Sequence, residues 1–528
     1  MTAPDPLTAE VLRHALVVAA EEASIVVVRS AYSTFIVEGS DASAAVLDAQ
    51  GRLVAQSVAT TLMNSMALRT ALPELLRDIP AERMREGEVY AMNDAYRGGV
   101  HTNDLLVFRP VWASGRPCYF AATMIHVSDL GGLSAGGMAP LATDIFLEGL
   151  QLPPVRLATR DGLDPAIEAV LRANSRTPDK VIGDVRALVA GTAVAAARLD
   201  RLLAEYGEAG LAAGVEAYLD HAESRTRAAV AELPEGRFEA AYPIDDDGFD
   251  LDRSHTVRVA VEISGGAVRL DFAGTGPQVP AAINASASQS LAAAVFAVRC
   301  FLDPTIPMNE GCLRALDIRL PEGSLLNARP PHPCGGRFVP IYAAMEAVFQ
   351  ALSTALPERA IAPSGILQPF SVAAVGPPYW IHLSYDFGGV GARRGLDGPD
   401  ATGVHFGVGR NSVPQVEPVE SRCPLVVESV ETIDGSGGAG RDRGGRGTRT
   451  VFRFLADCHV STRGDRLRLP PPGREGGLPG RAGGFFKRHL DGRLERLPSK
   501  AGNVRFAAGE AFVVETSGGG GLGPPAAG

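Results

Sequence analysis

The sequence predicts an α+β protein with more than one domain. Its 528 residues, 46% hydrophobic and 21% charged, are enough to form two or more hydrophobic cores. Helical and strand-like apolar spacings both occur, and strand-like segments become dominant after Pro234-Glu235-Gly236. The predicted division is a mixed α+β domain over 1–235, with a helical insertion, and a β-rich domain over 236–528 that ends in a glycine-rich loop.

The first ninety residues predict helices and short strands in turn. Apolar residues repeat at helical spacing over 7–31, and a second helix is expected over 66–79. Residues 44–55 are typical of two strands around a turn at Gly51, and a further strand is expected over 87–92. These elements lead into a segment rich in glycine, histidine and acidic residues.

Strand-like residues on both sides of Ser114-Gly115 predict a β-hairpin after that segment. With a two-residue loop there, position 103 lies opposite His126. His101 and His126 then approach each other at the open end of the hairpin. Asp104 would point to the other face unless a bulge shifts the register.

The rest of the chain predicts a long helical insertion followed mostly by strands. Residues 164–232 have a helical pattern, with a helix start at Thr177-Pro178. Strand-like segments and turns alternate over 238–323, and helices are expected over 290–301 and 339–355.

Composition disfavours several classes of protein. The net charge of −10 is the opposite of what a general nucleic-acid binder needs. The only lysines are Lys180, Lys487 and Lys500, which leaves few candidates for Schiff-base chemistry. Met1–Pro6 lacks the basic-then-apolar order of a signal peptide, and no apolar run reaches the roughly 20 residues of a membrane span. We therefore expect a cytoplasmic protein that binds neither membranes nor nucleic acid.

The segments 93–104 and 125–132 predict a metal site. They combine two histidines, several carboxylates and two glycine pairs. Imidazole and carboxylate are the usual ligands of zinc, manganese and iron in water-activating sites. The candidate ligands are His101, Asp104 and His126, with an acidic fourth ligand from elsewhere. The simpler interpretation is a set of hydrogen-bonded polar residues in a glycine-rich loop, since the spacing matches no zinc ribbon, HExxH helix or EF-hand.

Three glycine-rich motifs give weaker signals. Residues 132–136 spell G-x-S-x-G around Ser134, but a nucleophile elbow needs a helix directly afterwards, and the sequence there is a poor helix start. Residues 435–440 spell G-x-G-x-x-G without a following helix. Gly518–Gly521 could cradle an anion, although tight glycine turns are the simpler interpretation. No GxxxxGK[ST] is present, so the sequence predicts no nucleotide site.

At these motifs the chain resembles the hydantoinase B/oxoprolinase family, nearly from end to end. The family's Glu-x-x-Asp-x-Ser pattern begins here at Glu38. Its Asn-Asp-x-Tyr-x-Gly-Gly-x-His-x-x-Asp signature spans 93–104, and its His-x-x-Asp-[Ile/Val/Leu]-Gly-Gly segment spans 126–132. Further matches include Glu148-Gly149-Leu150, Arg172-Ala173-Asn174, Asn309-Glu310-Gly311-Cys312 and Arg443-Gly444-Gly445.

The resemblance implies a ligand set and a partner. Carboxylase members bind a metal through a glutamate, two histidines and an aspartate, which correspond by motif position to Glu38, His101, His126 and Asp104. The family includes subunits of ATP-dependent 5-oxoprolinases, N-methylhydantoinases, lactamases and acetone- or acetophenone-type carboxylases. In these systems a separate hydantoinase A subunit or domain handles ATP. The resemblance thus implies a hetero-oligomer with an A-type ATPase subunit and a divalent zinc, manganese or iron ion.

The activity we expect is the opening of a small cyclic amide such as a hydantoin, 5-oxoproline or a lactam. The partner would phosphorylate the carbonyl oxygen, and the metal would lower the pKa of a bound water to about 7. Asp129 or Asp94 could orient that water or act as its general base. Arg97 could hold the phosphorylated intermediate by a bidentate contact.

Three alternatives stay open from the sequence. The chain could be a carboxylase subunit whose metal stabilises an enolate, or a non-catalytic scaffold that only completes the A subunit. A serine hydrolase that uses Ser134 is the third.

Overall fold

The computed structural model describes residues 5–58, 62–403 and 413–526. The expectation about Met1–Pro6 falls mostly outside these ranges. The helices of the described chain, labelled in order, are α1 (Pro6–Ser30), α2 (Thr34–Gly39), α3 (Leu62–Asp78), α4 (Pro165–Ala173), α5 (Pro178–Ala231), α6 (Ala287–Arg299), α7 (Glu310–Leu313), α8 (Phe338–Ala355) and α9 (Val416–Arg422).

An antiparallel sheet with the strand order β2-β1-β5-β4-β3-β6-β7 forms the centre of the N-terminal half. Its central strands are buried on both faces, because α1 and α5 cover one face and α3 covers the other. The strands are β1 (Ala42–Asp48), β2 (Leu53–Gln56), β3 (Val89–Met92), β4 (Asp104–Ala113), β5 (Arg116–His126), β6 (Val155–Thr159) and β7 (Gly162–Leu163).

The long helical insertion is confirmed as α4 and α5. Asp164 caps α4 by accepting the backbone N–H groups of Ala166 and Ile167, and α5 begins at Pro178 directly after Thr177. Gly207 interrupts α5 with a φ of 70°, a conformation that glycine adopts without steric cost. This break lets α5 follow the sheet and pack along α1 over much of its length.

A second sheet, with the order β11-β10-β9-β8, packs against α6 and α8. The apolar helix α8 meets the length and hydropathy required to cross a membrane, but 83% of it is buried inside the protein, as in a core helix. The strands of this sheet are β8 (Gly236–Ile244), β9 (His255–Ser264), β10 (Ala267–Asp271) and β11 (Leu316–Arg319).

Two further sheets make the C-terminal part rich in strands. The first has the order β13-β12-β16-β19 and the second β14-β15-β20-β17-β18. The predicted α+β class is confirmed. None of the described sheets mixes strands from the two sides of residue 235. However, Met63 and Met66 of α3 pack in the core of the second sheet. The domain division at residue 235 therefore stays a prediction. The strands are β12 (Gln368–Ala374), β13 (Ile381–Asp386), β14 (Leu425–Thr432), β15 (Thr448–Phe454), β16 (Cys458–Thr462), β17 (Gly484–Arg488), β18 (Leu494–Leu497), β19 (Val504–Phe506) and β20 (Ala511–Glu515).

The glycine-rich motifs near the C-terminus form a close-packed bundle of backbone segments. Gly519 donates its N–H to the carbonyl of Gly445 at 2.9 Å and accepts the N–H of Gly438 at 2.8 Å. A Cβ at Gly519 would lie 2.1 Å from the carbonyl oxygen of Val390. Only glycine permits backbones to approach this closely, as at the axis of the collagen triple helix. Packing therefore accounts for both 435–440 and 518–521, which supports the simpler interpretation over an anion cradle.

A buried acid in β13 gives the fold a pH dependence. Burial raises the pKa of the Asp386 carboxyl from 3.8 to about 6, and its Oδ2 has no hydrogen-bond partner in the described part of the chain. Between these two pH values the unfolded chain loses the proton while the folded chain keeps it. The free energy of unfolding should therefore fall as the pH rises from about 4 to about 6 and stay lower above that.

Asp386→Asn should remove this contribution. We expect urea unfolding at pH 8 to show a variant that is more stable by up to about 3 kcal/mol, since each unit of pKa shift is worth about 1.4 kcal/mol. Asp161→Asn, at an exposed turn, is the matched control and should change little. An Asp386→Asn protein that is no more stable than the wild type at pH 8 would contradict the assignment.

Candidate metal centre

Three of the four predicted metal ligands converge at one end of the first sheet. A donor atom from each of His101, Asp104 and His126 lies within 4.8 Å of the other two. His126 Nδ1 is 3.5 Å from Asp104 Oδ1, and His101 Nε2 is 3.4 Å from Asp104 Oδ2. All three side chains are largely buried. A single cation between these atoms would be within reach of two imidazoles and a carboxylate.

A β-bulge brings Asp104 into this cluster. The predicted register, with position 103 opposite His126, is wrong by one residue, because the structure pairs Asp104 with His126. The shift occurs between Val111 and Trp112, where Cys118 is the extra residue of the opposite strand. The bulge that Asp104 needs in order to face the histidines is therefore present.

The His126 ring lies between a backbone carbonyl and the Asp104 carboxylate. Its Nε2 lies 3.4 Å from the carbonyl oxygen of Gly136, which can accept the ring proton, and in that tautomer the Nδ1 lone pair faces Asp104. Metal-binding histidines usually donate their second N–H to an acceptor in this manner. Two acceptor atoms that face each other without a proton between them are stabilised by a cation.

His101 is neutral but needs an adjustment to bind an ion. Burial, with the nearby Arg337 guanidinium, holds the pKa of His101 well below its usual value, as a neutral ligand requires. Its Nδ1 accepts the N–H of Asn103 at 3.0 Å, which places the ring proton on Nε2. An ion at Nε2 would require that proton to move to Nδ1 and the Asn103 amide to release its acceptor.

Asp41 lies close enough to the cluster for Asp104 and His126 to act on its carboxyl group. Asp41 directly precedes Ala42, which pairs with Ile125, the neighbour of His126, and His126 in turn pairs with Asp104. Burial raises the pKa of Asp41, and the Asp104 carboxylate adds to the shift. Glu38 lies half-buried at the end of α2 and is not in the group that could hold an ion. Its assignment as a ligand stays a prediction.

Asp129 positions His126 through the backbone. Its Oδ1 accepts the N–H of Gly136, whose carbonyl oxygen faces His126 Nε2. Its Oδ2 accepts the N–H of Arg176, and the Arg176 guanidinium also contacts Oδ1 at 2.9 Å. The carboxylate is fully buried and occupied by these donors. These donors leave the carboxylate little capacity to act as a general base, and its role in orienting a bound water stays a prediction.

Asp94 and Arg97 have structural partners. Asp94 accepts the N–H of Tyr96 at 2.9 Å and so shapes the turn that leads to His101. The Arg97 guanidinium donates to Asp78 at 2.7 Å and to Glu74 at 3.3 Å, at the end of α3. These contacts do not support the chemical roles that the sequence suggested for the two residues.

Two buried arginines at the site were not among the residues predicted from the sequence. Arg337, at the start of α8, donates to Asp104 Oδ2 at 3.2 Å. Arg463, directly after β16, donates to the carbonyls of Gly335 and Gly137. Glu148 accepts the backbone N–H of Cys334 and Gly335 and so holds the loop before Arg337. Only the Gly335-Gly336 pair ahead of an arginine could have drawn attention to this loop.

A cleft reaches the cluster at His126. Residues of α2, β13 and the end of α9 line it, and Lys180 and Arg422 add positive charge. The Phe35 ring packs edge-on against His126, with 6.0 Å between the ring centres. The cavity of about 20 Å³ next to His126 has room for about one water molecule.

Ser134 is not placed as a nucleophile. It stands before the short turn Ala135–Gly137 and follows irregular backbone, so the strand–serine–helix arrangement of a nucleophile elbow is missing at this residue. Its hydroxyl is buried. The G-x-S-x-G pattern is therefore a chance match.

Asp129→Asn should weaken both the fold and the metal site. In an asparagine one carboxylate oxygen is replaced by an NH2 group, which would face a backbone N–H and could not accept its hydrogen bond. We therefore expect a loss of about 1–3 kcal/mol in the free energy of unfolding. Metal affinity should fall about 10- to 100-fold, as for other changes behind a ligand. Asp144→Asn, which removes the charge from a cap on another turn, is the control and should leave metal affinity unchanged. Equal metal affinity in wild type and Asp129→Asn would refute the positioning role.

Comparison with known proteins finds relatives over the whole chain. The family model described as hydantoinase B/oxoprolinase matches residues 5–525. The caprolactamase subunit beta of Pseudomonas jessenii is 28% identical over 542 residues, which cover 99% of this chain and 92% of the relative. The 5-oxoprolinase PfmaA of Pestalotiopsis fici is 28% identical over 545 residues, but this chain spans only 41% of it.

Solved structures agree with these relatives. The crystal structure of the ATP-dependent caprolactamase from Pseudomonas jessenii matches with a TM-score of 0.87 and 26% identity, over 99% of this chain and 92% of that one. The nucleotide-free structure of acetone carboxylase also gives a TM-score of 0.87, at 19% identity, over 99% of this chain and 76% of that one. At that identity the likeness concerns the fold alone.

Proposed function

Since the chain belongs to the hydantoinase B/oxoprolinase family, we propose that it is the B subunit of an ATP-dependent enzyme that hydrolyses a small cyclic amide. The relatives named caprolactamase and 5-oxoprolinase support this reaction class. The observation that carries the proposal is the convergence of His101, Asp104 and His126 at the end of a cleft.

The donor set fits one divalent cation. His126 Nδ1, His101 Nε2 and an Asp104 oxygen would bind it, with Asp41 as the proposed fourth ligand. Mixed nitrogen and oxygen ligands suit zinc, manganese and iron alike. Such an ion supplies a Lewis acid, which makes water nucleophilic near neutral pH and polarises a carbonyl.

The chain's own residues hold this arrangement in place. Asp129 fixes the Gly136 carbonyl that orients His126, and Arg337 fixes the Asp104 carboxylate. Phe35 packs on His126 and limits the access of bulk water from the cleft. In this proposal the site binds and orients the reacting groups, and ATP chemistry adds to the activation of the resonance-stabilised amide.

We propose that a hydantoinase A-type subunit supplies ATP chemistry, so that the enzyme is a hetero-oligomer. The sequence has no GxxxxGK[ST] motif, and packing explains its G-x-G-x-x-G segment. The named caprolactamase relative is itself a subunit, and the 5-oxoprolinase relative contains a further part more than half its length. Both facts support a second component that handles ATP.

The test is co-expression with the A-type subunit and assay of the purified complex. We expect ATP-dependent ring opening of one member of a panel of hydantoins, 5-oxoproline and lactams. The shared fold with acetone carboxylase makes carboxylation the second candidate, so the same complex should be given ketones with bicarbonate and ATP. Carboxylation without ring opening would replace the hydrolase proposal. Ring opening that survives the double change His101→Ala, His126→Ala would favour a scaffold role.

A further inference from the structure

Two arginine side chains beside the metal cluster are buried with unused hydrogen-bond donors. Arg337 is 4% exposed, and its Nε and Nη1 have no partner among the described residues. Arg463 is 3% exposed, and its Nε is likewise without a described partner. Unpaired N–H groups of a buried guanidinium are costly, more so than those of a neutral group. Such donors indicate a place for an anionic acceptor.

The two guanidiniums lie near each other in the protein interior. Arg463 donates to the carbonyl of Gly335, which lies two residues before Arg337. Both arginines interact electrostatically with Asp104 and Glu148. Arg337 already contacts the oxygen of Asp104 that faces His101, so its guanidinium lies beside the place for the ion.

The charge balance favours an anion there. Asp41, Asp104 and Glu148 are the carboxyl groups near the two guanidiniums. Burial raises the pKa of Glu148 to about 7, so near neutral pH its charge is only partly available. With a divalent cation bound, the charges of the cation and the two guanidiniums together exceed those of the three carboxylates, even if all three acids are ionised. A bound oxyanion would restore neutrality.

We propose that Arg337, supported by Arg463, forms an oxyanion subsite next to the metal cluster. Its ligand is a phosphoryl group or a carboxylate, which a planar guanidinium binds through two parallel hydrogen bonds. The choice between these ligands rests on the proposed function. In that reaction the activated amide carries a phosphoryl group, and the ring-opened product carries a carboxylate. The subsite binds and positions, and no bond is made or broken on it.

The test measures anion binding to the full-length, metal-loaded chain by calorimetry. Inorganic phosphate and 6-aminohexanoate are titrated separately, at constant ionic strength and without ATP or partner. We expect Arg337→Met to raise the Kd of the anion that binds by about 10- to 100-fold, with each variant titrated at a metal concentration that saturates its own site. Arg329→Met is the matched control, since Arg329 pairs with Glu322 at the surface and should leave the Kd unchanged.

Arg337→Lys keeps the test decisive if Arg337→Met does not fold or loses its metal. Lysine preserves a charge beside Asp104 but lacks the planar fork, so we expect a Kd about 10-fold higher. Equal Kd values in the wild type and the folded Arg337 variants would overturn the subsite, as would the absence of binding by both anions. If the complex opens rings but neither anion binds, only the subsite is contradicted. If an anion binds but the complex opens no ring, only the proposed reaction is contradicted.

Discussion

His126→Ala is expected to abolish metal binding and the activity of the complex. His126 supplies the Nδ1 lone pair that faces Asp104, and its other nitrogen is fixed by Gly136. Changes behind a ligand cost about 10- to 100-fold in metal affinity, so loss of the ligand itself should cost more than about 100-fold. Isothermal titration with zinc and manganese, together with turnover of the complex, measures both effects.

His14→Ala is the control for this change. His14 is a histidine on α1 with 65% of its side chain exposed, and it contacts Glu10 at the surface. Its replacement should leave metal affinity and turnover unchanged. If His126→Ala binds metal as tightly as His14→Ala, His126 is not a ligand, and the cluster is a hydrogen-bonded polar core.

Gly519→Ala is expected to disrupt the C-terminal glycine bundle. The added Cβ would lie 2.1 Å from the carbonyl oxygen of Val390, and this neighbour is backbone held by its own hydrogen bonds. Overpacking of side chains costs about 1–3 kcal/mol, and a clash with fixed backbone should exceed that range. Urea unfolding and the yield of folded protein measure the effect.

Gly376→Ala is the matched control, because a Cβ there meets nothing within 4 Å and the backbone is not in the left-handed region. We expect a change within about 0.5 kcal/mol, as for most surface substitutions. A Gly519→Ala protein as stable as Gly376→Ala would contradict close packing of the bundle.

The sequence predicted most helices and strands because their apolar periodicity is long and regular. The helix over 7–31 corresponds to α1, and the insertion over 164–232 to α4 and α5. The register of the β4–β5 hairpin was wrong because a bulge depends on how Cys118 packs, which no spacing reveals. That single residue decides whether Asp104 joins the cluster.

The candidate site was predictable only where its residues are local in sequence. His101, Asp104 and His126 lie within one hairpin, so short-range spacing brought them together. Arg337 and Arg463 come from connections far along the chain, and only tertiary packing places them beside Asp104. The fourth ligand illustrates the same limit, since motif position alone gave Glu38, whereas the fold brings Asp41 close enough to interact with Asp104 and His126.

Anomalous diffraction at the metal absorption edge, on crystals of the purified protein, tests the central claim most directly. We predict one anomalous peak for each chain, at coordination distance from His101 Nε2, His126 Nδ1 and an oxygen of Asp104. An enzymatically active protein with no peak at these three side chains, or with its metal bound elsewhere, would contradict the account.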